Sequence, residues 1–181
     1  RQGAAAVMVD REVPARVPRL QVADTARALA DLARQWRRSL PWRVAAVTGS
    51  VGKTTVKDLC VAMLGASAKT AGTLGNWNNA VGLPLSLLAA PSDARFGVFE
   101  LGTSRPGELA ELSNILEPDW SLITPIGAAH RAFFDSEEAL AREKSAVAAA
   151  IGPDGGAVLS CDDRWFELLQ SRVHGRVCAV S

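Results

Sequence analysis

The run Thr48-Gly49-Ser50-Val51-Gly52-Lys53-Thr54-Thr55 is where residue types and spacing first carry chemistry. Glycines let successive backbone N–H groups converge on phosphate oxygens, and a helix starting there adds positive potential. Lys53 can then reach the β- and γ-phosphates of a nucleoside triphosphate, and the Thr54 hydroxyl can ligate Mg²⁺. The common form of such a loop, G-x-x-x-x-G-K-[ST], would place its first glycine at Val47. With Gly49 nearest, the loop is a shortened variant. Gly49, Ser50, Val51, Gly52, Lys53, Thr54 and Thr55 are therefore expected to hold ATP.

Other residues suit the same chemistry. Glu100 closes the apolar run Gly97–Leu101. Ligands of open α/β sheets gather at the carboxyl ends of strands, and Mg²⁺ prefers oxygen ligands. An acid merely ending a strand is the plainer alternative. Asn76, Asn78 and Asn79 precede an apolar helix starting near Val81, and asparagines there can also be turn formers or a helix cap. Leu140, Lys144, Val147 and Ile151 follow one another at intervals of 4, 3 and 4, the inward stripe of a helix. A lysine in that stripe either snorkels to solvent or is held partly buried, where the neutral amine is favoured. His130 stands alone in a Gly-Ala-Ala loop, and His174 fits no pattern and reads as a surface residue.

The elements needed to position these residues alternate. Short strands are expected at Ala4–Val9, Leu20–Ala23, Val44–Val47, Gly97–Leu101, Ser121–Thr124, Ala157–Leu159 and Arg176–Val180. Asp24 or Thr25 can cap a helix with Leu29, Leu32, Ala33 and Trp36 on one face, which ends near Pro41. After the glycine loop, Val56, Leu59, Cys60 and Met63 are expected on the core face of a helix. Pro106 opens another, Ser136 caps a third running to about Ala150, and a short one covers Trp165–Leu169. Strand–helix alternation means an α/β fold with a mostly parallel sheet flanked by helices.

Composition sets the outer limits. The 181 residues are 48% hydrophobic and 22% charged with a net charge of +1, so nothing marks nucleic acid as a partner. No apolar run approaches the roughly 18 residues that span a bilayer. Cys60, Cys161 and Cys178 have no metal-ligand spacing and read as small buried hydrophobes in a reducing cytoplasm. The chain starts without Met and stops on a strand-like run, as a segment of a longer protein would.

In order along the chain, the glycine loop, Gly75-Asn76-Trp77-Asn78-Asn79-Ala80-Val81-Gly82-Leu83-Pro84, Glu100-Leu101-Gly102, Pro106-Gly107-Glu108, Gly127-Ala128-Ala129-His130 and Ala141-Arg142-Glu143-Lys144 resemble the Mur ligases. The Asn-rich segment is similar to the branch that joins D-alanyl-D-alanine to a UDP-N-acetylmuramoyl-tripeptide. The resemblance implies a P-loop type ATP-binding domain over residues 41–181, preceded over residues 1–40 by the end of a smaller α/β domain that binds the UDP-sugar. It implies ATP and Mg²⁺, an acyl-phosphate intermediate, and a monomeric cytoplasmic enzyme of peptidoglycan synthesis. It assigns catalytic parts to Lys53, Glu100, His130 and Lys144, and substrate contacts to Asn76, Asn78 and Asn79. Metal contacts fall to Thr54, Glu100, His130 and a carbamylated Lys144. The chain departs from the usual family pattern at Ser104-Arg105, Pro125, Arg131-Ala132 and Ser160. A related amide ligase of the folylpolyglutamate or cyanophycin type, or a P-loop module without ligase activity, are the alternative readings.

Overall fold

The computed structural model describes residues 3–127 and 133–181. A short parallel pair, β1 (Val7–Val9) and β2 (Arg19–Gln21), comes first. Helix α1 (Thr25–Ser39) follows, with the Asp24 carboxylate accepting the Arg27 N–H at 2.9 Å, so Asp24 rather than Thr25 is the cap. The remaining strands are β3 (Arg43–Thr48), β4 (Thr70–Gly72), β5 (Phe96–Glu100), β6 (Trp120–Ile123), β7 (Gly156–Ser160) and β8 (Arg176–Val180). They form one sheet in the order β4-β5-β3-β6-β7-β8, every neighbouring pair parallel. Between them run α2 (Lys53–Gly65), α3 (Gly82–Ala89), α4 (Glu108–Leu116), α5 (Glu137–Ala149) and α6 (Phe166–Gln170). The parallel α/β expectation holds. Strand β4, three residues long with one buried side chain, has no periodic signal and was not anticipated.

The larger core lies where α1, α3 and α4 meet β3 and β5, around Trp42, Leu83, Leu87, Phe99, Leu109 and Leu112. Arg37 of α1 reaches the C-terminus of α4, donating to the carbonyls of Leu116 (2.9 Å) and Glu117 (3.2 Å). A cation there satisfies carbonyls that a helix end leaves without partners. A second core joins α5 and α6 to β6 and β7 around Leu140, Ala148 and Leu159.

Two sequence expectations are corrected. In α2, Leu59 and Met63 are 57% and 74% exposed, and the buried residue is Lys57. The helix rests on β4 and β5 along a different face. Its Cys60, Met63 and Leu64 border a groove lined on the sheet side by Val44, Phe96, Val98 and Leu122. Nor are the cysteines core residues. Cys60 is half-buried, and Cys161 and Cys178 are exposed, one past the end of β7 and the other on the edge strand β8. His174 is exposed, as expected.

Candidate active site

The parallel register sets the carboxyl ends of β5, β3 and β6 side by side, with Val47 opposite Glu100 and Thr48 opposite Ile123. The chain leaves β3 through Gly49 (φ +146°) and enters α2 through Gly52 (φ +79°). A side chain at Gly49 has no room: a Cβ would lie 1.8 Å from Thr124 Oγ1 and 2.7 Å from the Thr124 carbonyl. The loop after β6 therefore grips the glycine loop. Thr124 Oγ1 donates to the Val51 carbonyl (2.6 Å), the Ser50 N–H donates to the Pro125 carbonyl (3.1 Å), and Ser50 Oγ donates to the Gly127 carbonyl (3.2 Å). Thr48 Oγ1 ties the loop's other end to the Leu101 carbonyl at 3.0 Å. With carbonyls drawn back into the protein, the loop's remaining N–H groups are left for an anion.

Two lysines meet at this loop. Lys53, at the first turn of α2, donates to the carbonyls of Gly49 (3.0 Å) and Ser50 (3.3 Å). Lys144 comes from α5, ninety-five residues beyond Gly49, and donates to the same Gly49 carbonyl at 2.9 Å. It is 1% exposed, so of the two readings of the inward stripe, burial is the one realised. Burial and the neighbouring Lys53 charge, partly offset by Glu143, push its amine down from 10.5 to about 8. A buried ammonium beside another cation gives up its proton more easily.

Glu100 forms the opposite wall and is 3% exposed. Its Oε2 accepts the Thr54 hydroxyl at 2.7 Å, its Oε1 accepts the Asn78 amide at 2.8 Å, and its N–H donates to Thr73 Oγ1 at 2.7 Å. Thr54 and Glu100 thus present two hard oxygens together, a donor set that fits Mg²⁺. Among the described residues no three His, Cys, Asp or Glu side chains cluster as a ready cage. A magnesium here would complete its shell with phosphate and water, its usual habit.

The asparagines separate. Asn78 serves Glu100. Asn79 accepts the N–H groups of Val81 (3.1 Å) and Gly82 (2.8 Å), capping α3. Asn76 is exposed and offers its carbonyl to the Asn78 N–H. Thr55 and Val51 are exposed beside the loop. His130, with Arg131 and Ala132, lies outside the described residues.

A cavity of about 290 Å³ joins these groups, lined by Lys53, Asn78, Asn79, Glu100, Lys144 and the segment Gly102–Ser104 with Glu108. Thr73, Ser104, Glu108, Thr124 and Glu143 have parts in this region that the sequence reading did not assign. Thr124 and Thr73 directly follow strands at the carboxyl edge of a parallel sheet, a position that could have marked them.

With this geometry in view, similarity to known proteins takes on meaning. The Mur ligase middle domain family matches residues 47–181. The UDP-N-acetylmuramoyl-tripeptide--D-alanyl-D-alanine ligase of Bacillus subtilis is 40% identical over 164 residues, covering 89% of this chain and 36% of that protein. The UDP-N-acetylmuramoylalanyl-D-glutamyl-2,6-diaminopimelate--D-alanyl-D-alanyl ligase of Acinetobacter baumannii superposes with a TM-score of 0.88 at 32% identity, over 95% of this chain and 38% of that one. The MurF ligase of Thermotoga maritima, solved in complex with ADP, superposes with a TM-score of 0.87 at 31% identity, over 98% and 41%. The chain thus spans well under half the length of these relatives. Its glycine loop, parallel sheet and the strand ends around Glu100 all fall within the matched stretch, and the chain belongs to the Mur ligase family, of which it carries the middle domain.

Proposed function

We propose that this chain supplies the ATP-binding part of a longer enzyme that joins D-alanyl-D-alanine to a UDP-N-acetylmuramoyl-tripeptide in peptidoglycan synthesis. The observation that carries the reading is the convergence of the glycine loop, Lys53, the Thr54–Glu100–Asn78 chain of hydrogen bonds and the buried Lys144 on one cavity. On this reading residues 1–40 end a UDP-sugar-binding domain and residues 41–181 begin the ATP-binding one. Among the described residues no helix is long and apolar enough to cross a membrane, and the enzyme works in the cytoplasm as a monomer.

Joining a carboxylate to an amine needs an activated acyl group, here an acyl phosphate formed from ATP. Two anions must approach each other, so the site's task is charge neutralisation and alignment. Lys53 leaves the Gly49 and Ser50 carbonyls and turns to the β- and γ-phosphates, while the loop N–H groups hold the phosphate chain. Magnesium ions supply the remaining charge neutralisation when bound; Thr54 and Glu100 would hold one, with Asn78 fixing the carboxylate's orientation. By the family resemblance, His130 and Lys144 would hold a second. Lys144, with its lowered proton affinity, is suited to react with CO₂. As a carbamate it would keep an N–H for the Gly49 carbonyl and gain two oxygens of the kind Mg²⁺ prefers.

The test is phosphate release by the full-length protein. Release should require ATP, the UDP-N-acetylmuramoyl-tripeptide and D-alanyl-D-alanine together, with equimolar product. Release that is indifferent to both peptides, or that responds instead to a folate or to free glutamate, would remove this reading.

A further inference from the structure

Among the described residues, Glu108 is the one carboxylate on the cavity wall that the mechanism above leaves unused. It is 5% exposed. Its Oε2 accepts both the Ser104 N–H (2.7 Å) and the Ser104 hydroxyl (3.1 Å). Among the described residues no donor reaches its Oε1. That oxygen is not fully enclosed, and Glu108 is one of the residues lining the cavity.

Helix capping does not account for it. The N-terminus of α4 is already served by Glu143 of α5, whose two carboxylate oxygens accept the N–H groups of Gly107 (2.7 Å) and Leu109 (2.8 Å). That clamp and the Ser104 contacts also keep Glu108 from swinging away. Of the cations nearby, Lys53 and Lys144 donate to the glycine loop, and Arg105 pairs with Glu111 while its charge also acts on Glu108 without a hydrogen bond. A buried carboxylate needs a compensating partner. Ser104 and the start of α4 meet part of that need, and for the open oxygen, in a cavity that receives phosphates and a substrate carboxylate, a cationic donor is the complement. Thr54 and Glu100 already offer a metal its oxygens on another wall. An ammonium donating to one fixed oxygen suits Glu108 better.

We propose that Glu108 Oε1 binds the primary ammonium group of a substrate and so selects for it. The proposal rests on the ligase reading, which brings two such groups to the cavity. One is the side-chain ammonium of the tripeptide's third residue, as in the diaminopimelate named for the Acinetobacter relative. The other is the amino group of the incoming dipeptide.

Glu108→Gln in the full-length protein keeps the shape and an acceptor for Ser104 but removes the charge. KM is measured for ATP, Mg²⁺, D-alanyl-D-alanine, and two tripeptide substrates carrying at the third position lysine or norleucine, which has the same stem without the ammonium. Loss of a charge-assisted hydrogen bond predicts a rise in KM of about tenfold or more, with ATP unaffected. If the rise is confined to the lysine substrate, the third side chain is the ligand. If it falls on the dipeptide with both tripeptides alike, the incoming amine is. Unchanged peptide KM values, or a change only in the Mg²⁺ requirement, overturn the proposal. If the Gln variant is poorly folded by its melting temperature, Glu108→Asp is put through the same comparison. Wild-type protein that makes no product from any tripeptide removes the ligase reading as well, whereas an active wild type with an indifferent Gln variant removes only this one.

Discussion

Replacing Lys144 by methionine should make the protein more stable and less active at once. Met keeps most of the stem's volume in the pocket beneath the glycine loop and discards the amine. Holding the ammonium there lowers its proton affinity from 10.5 to about 8. At about 1.4 kcal/mol per factor of ten, that gap corresponds to a penalty of about 3 kcal/mol on the folded state while the amine is charged. The substitution also loses the hydrogen bond to the Gly49 carbonyl, a cost of about 1 kcal/mol, although Lys53 still serves that oxygen. The balance favours Lys144→Met by about 2 kcal/mol at pH 7, or roughly 4–8 °C in melting temperature for a chain of this size.

The sign of the pH dependence follows from linkage. Between pH 8 and about 10.5 the folded state binds fewer protons at this site than the unfolded state, so its contribution to wild-type stability rises with pH. Below pH 8 the full penalty is present. The Met variant lacks this contribution, so its advantage should shrink steadily from pH 8 towards pH 10. Urea unfolding of both proteins in CO₂-free buffer at pH 7, 8, 9 and 10 measures it, CO₂ being excluded because a carbamate would abolish the penalty. A Met variant that is less stable at pH 7, or a difference that stays constant across the series, would refute the reasoning.

Three further substitutions probe the glycine loop. Gly49→Ala should cost about 3 kcal/mol or more, because its Cβ would overlap Thr124 Oγ1 at 1.8 Å and the residue would sit at positive φ; an unchanged urea midpoint would contradict this. Thr124→Val removes the donor to the Val51 carbonyl in a side chain of equal shape, so stability should fall by only about 1 kcal/mol while ATP affinity drops several-fold. Equal ATP affinity in a binding titration would mean that the loop does not need this anchor. Lys53→Ala should abolish ATP turnover in the full-length protein, since its charge is needed most as the phosphoryl group transfers; phosphate release near the wild-type rate would dismiss the assignment.

Much of the site could be read locally. Strand, glycine turn and lysine follow one another within a few residues, and their meaning depends on backbone freedom and a helix start rather than on distant contacts. Ser136 as the cap of α5 is equally local, and its hydroxyl does accept the Ala139 N–H at 3.0 Å. The asparagines were harder to read. Asn78 and Asn79 are adjacent and of one type, yet one turns to Glu100 and the other to the start of α3. That division depends on where β5 lies relative to the loop, which no spacing within the segment encodes. In α2 the periodicity of Val56, Leu59, Cys60 and Met63 marks a helix and, taken alone, points that face inward. Packing on β4 and β5 instead turned Leu59 and Met63 outward and Lys57 in.

By itself the sequence determined that the chain is α/β, that a glycine turn ending in lysine joins β3 to α2, and that Glu100 stands at a strand end, because short-range sterics and hydrogen bonding govern each of these. Tertiary structure alone decided what holds the turn and what faces it. Thr124 grips it from the loop just after β6, 73 residues away from Val51, and Lys144 enters from α5, 95 residues away from Gly49. In a parallel sheet each neighbour arrives through a long crossover, so strand order rather than chain order chooses the partners. The lysine's place in a helical stripe was visible in the sequence; its burial against a backbone carbonyl, which lowers its proton affinity, exists only once that order is set.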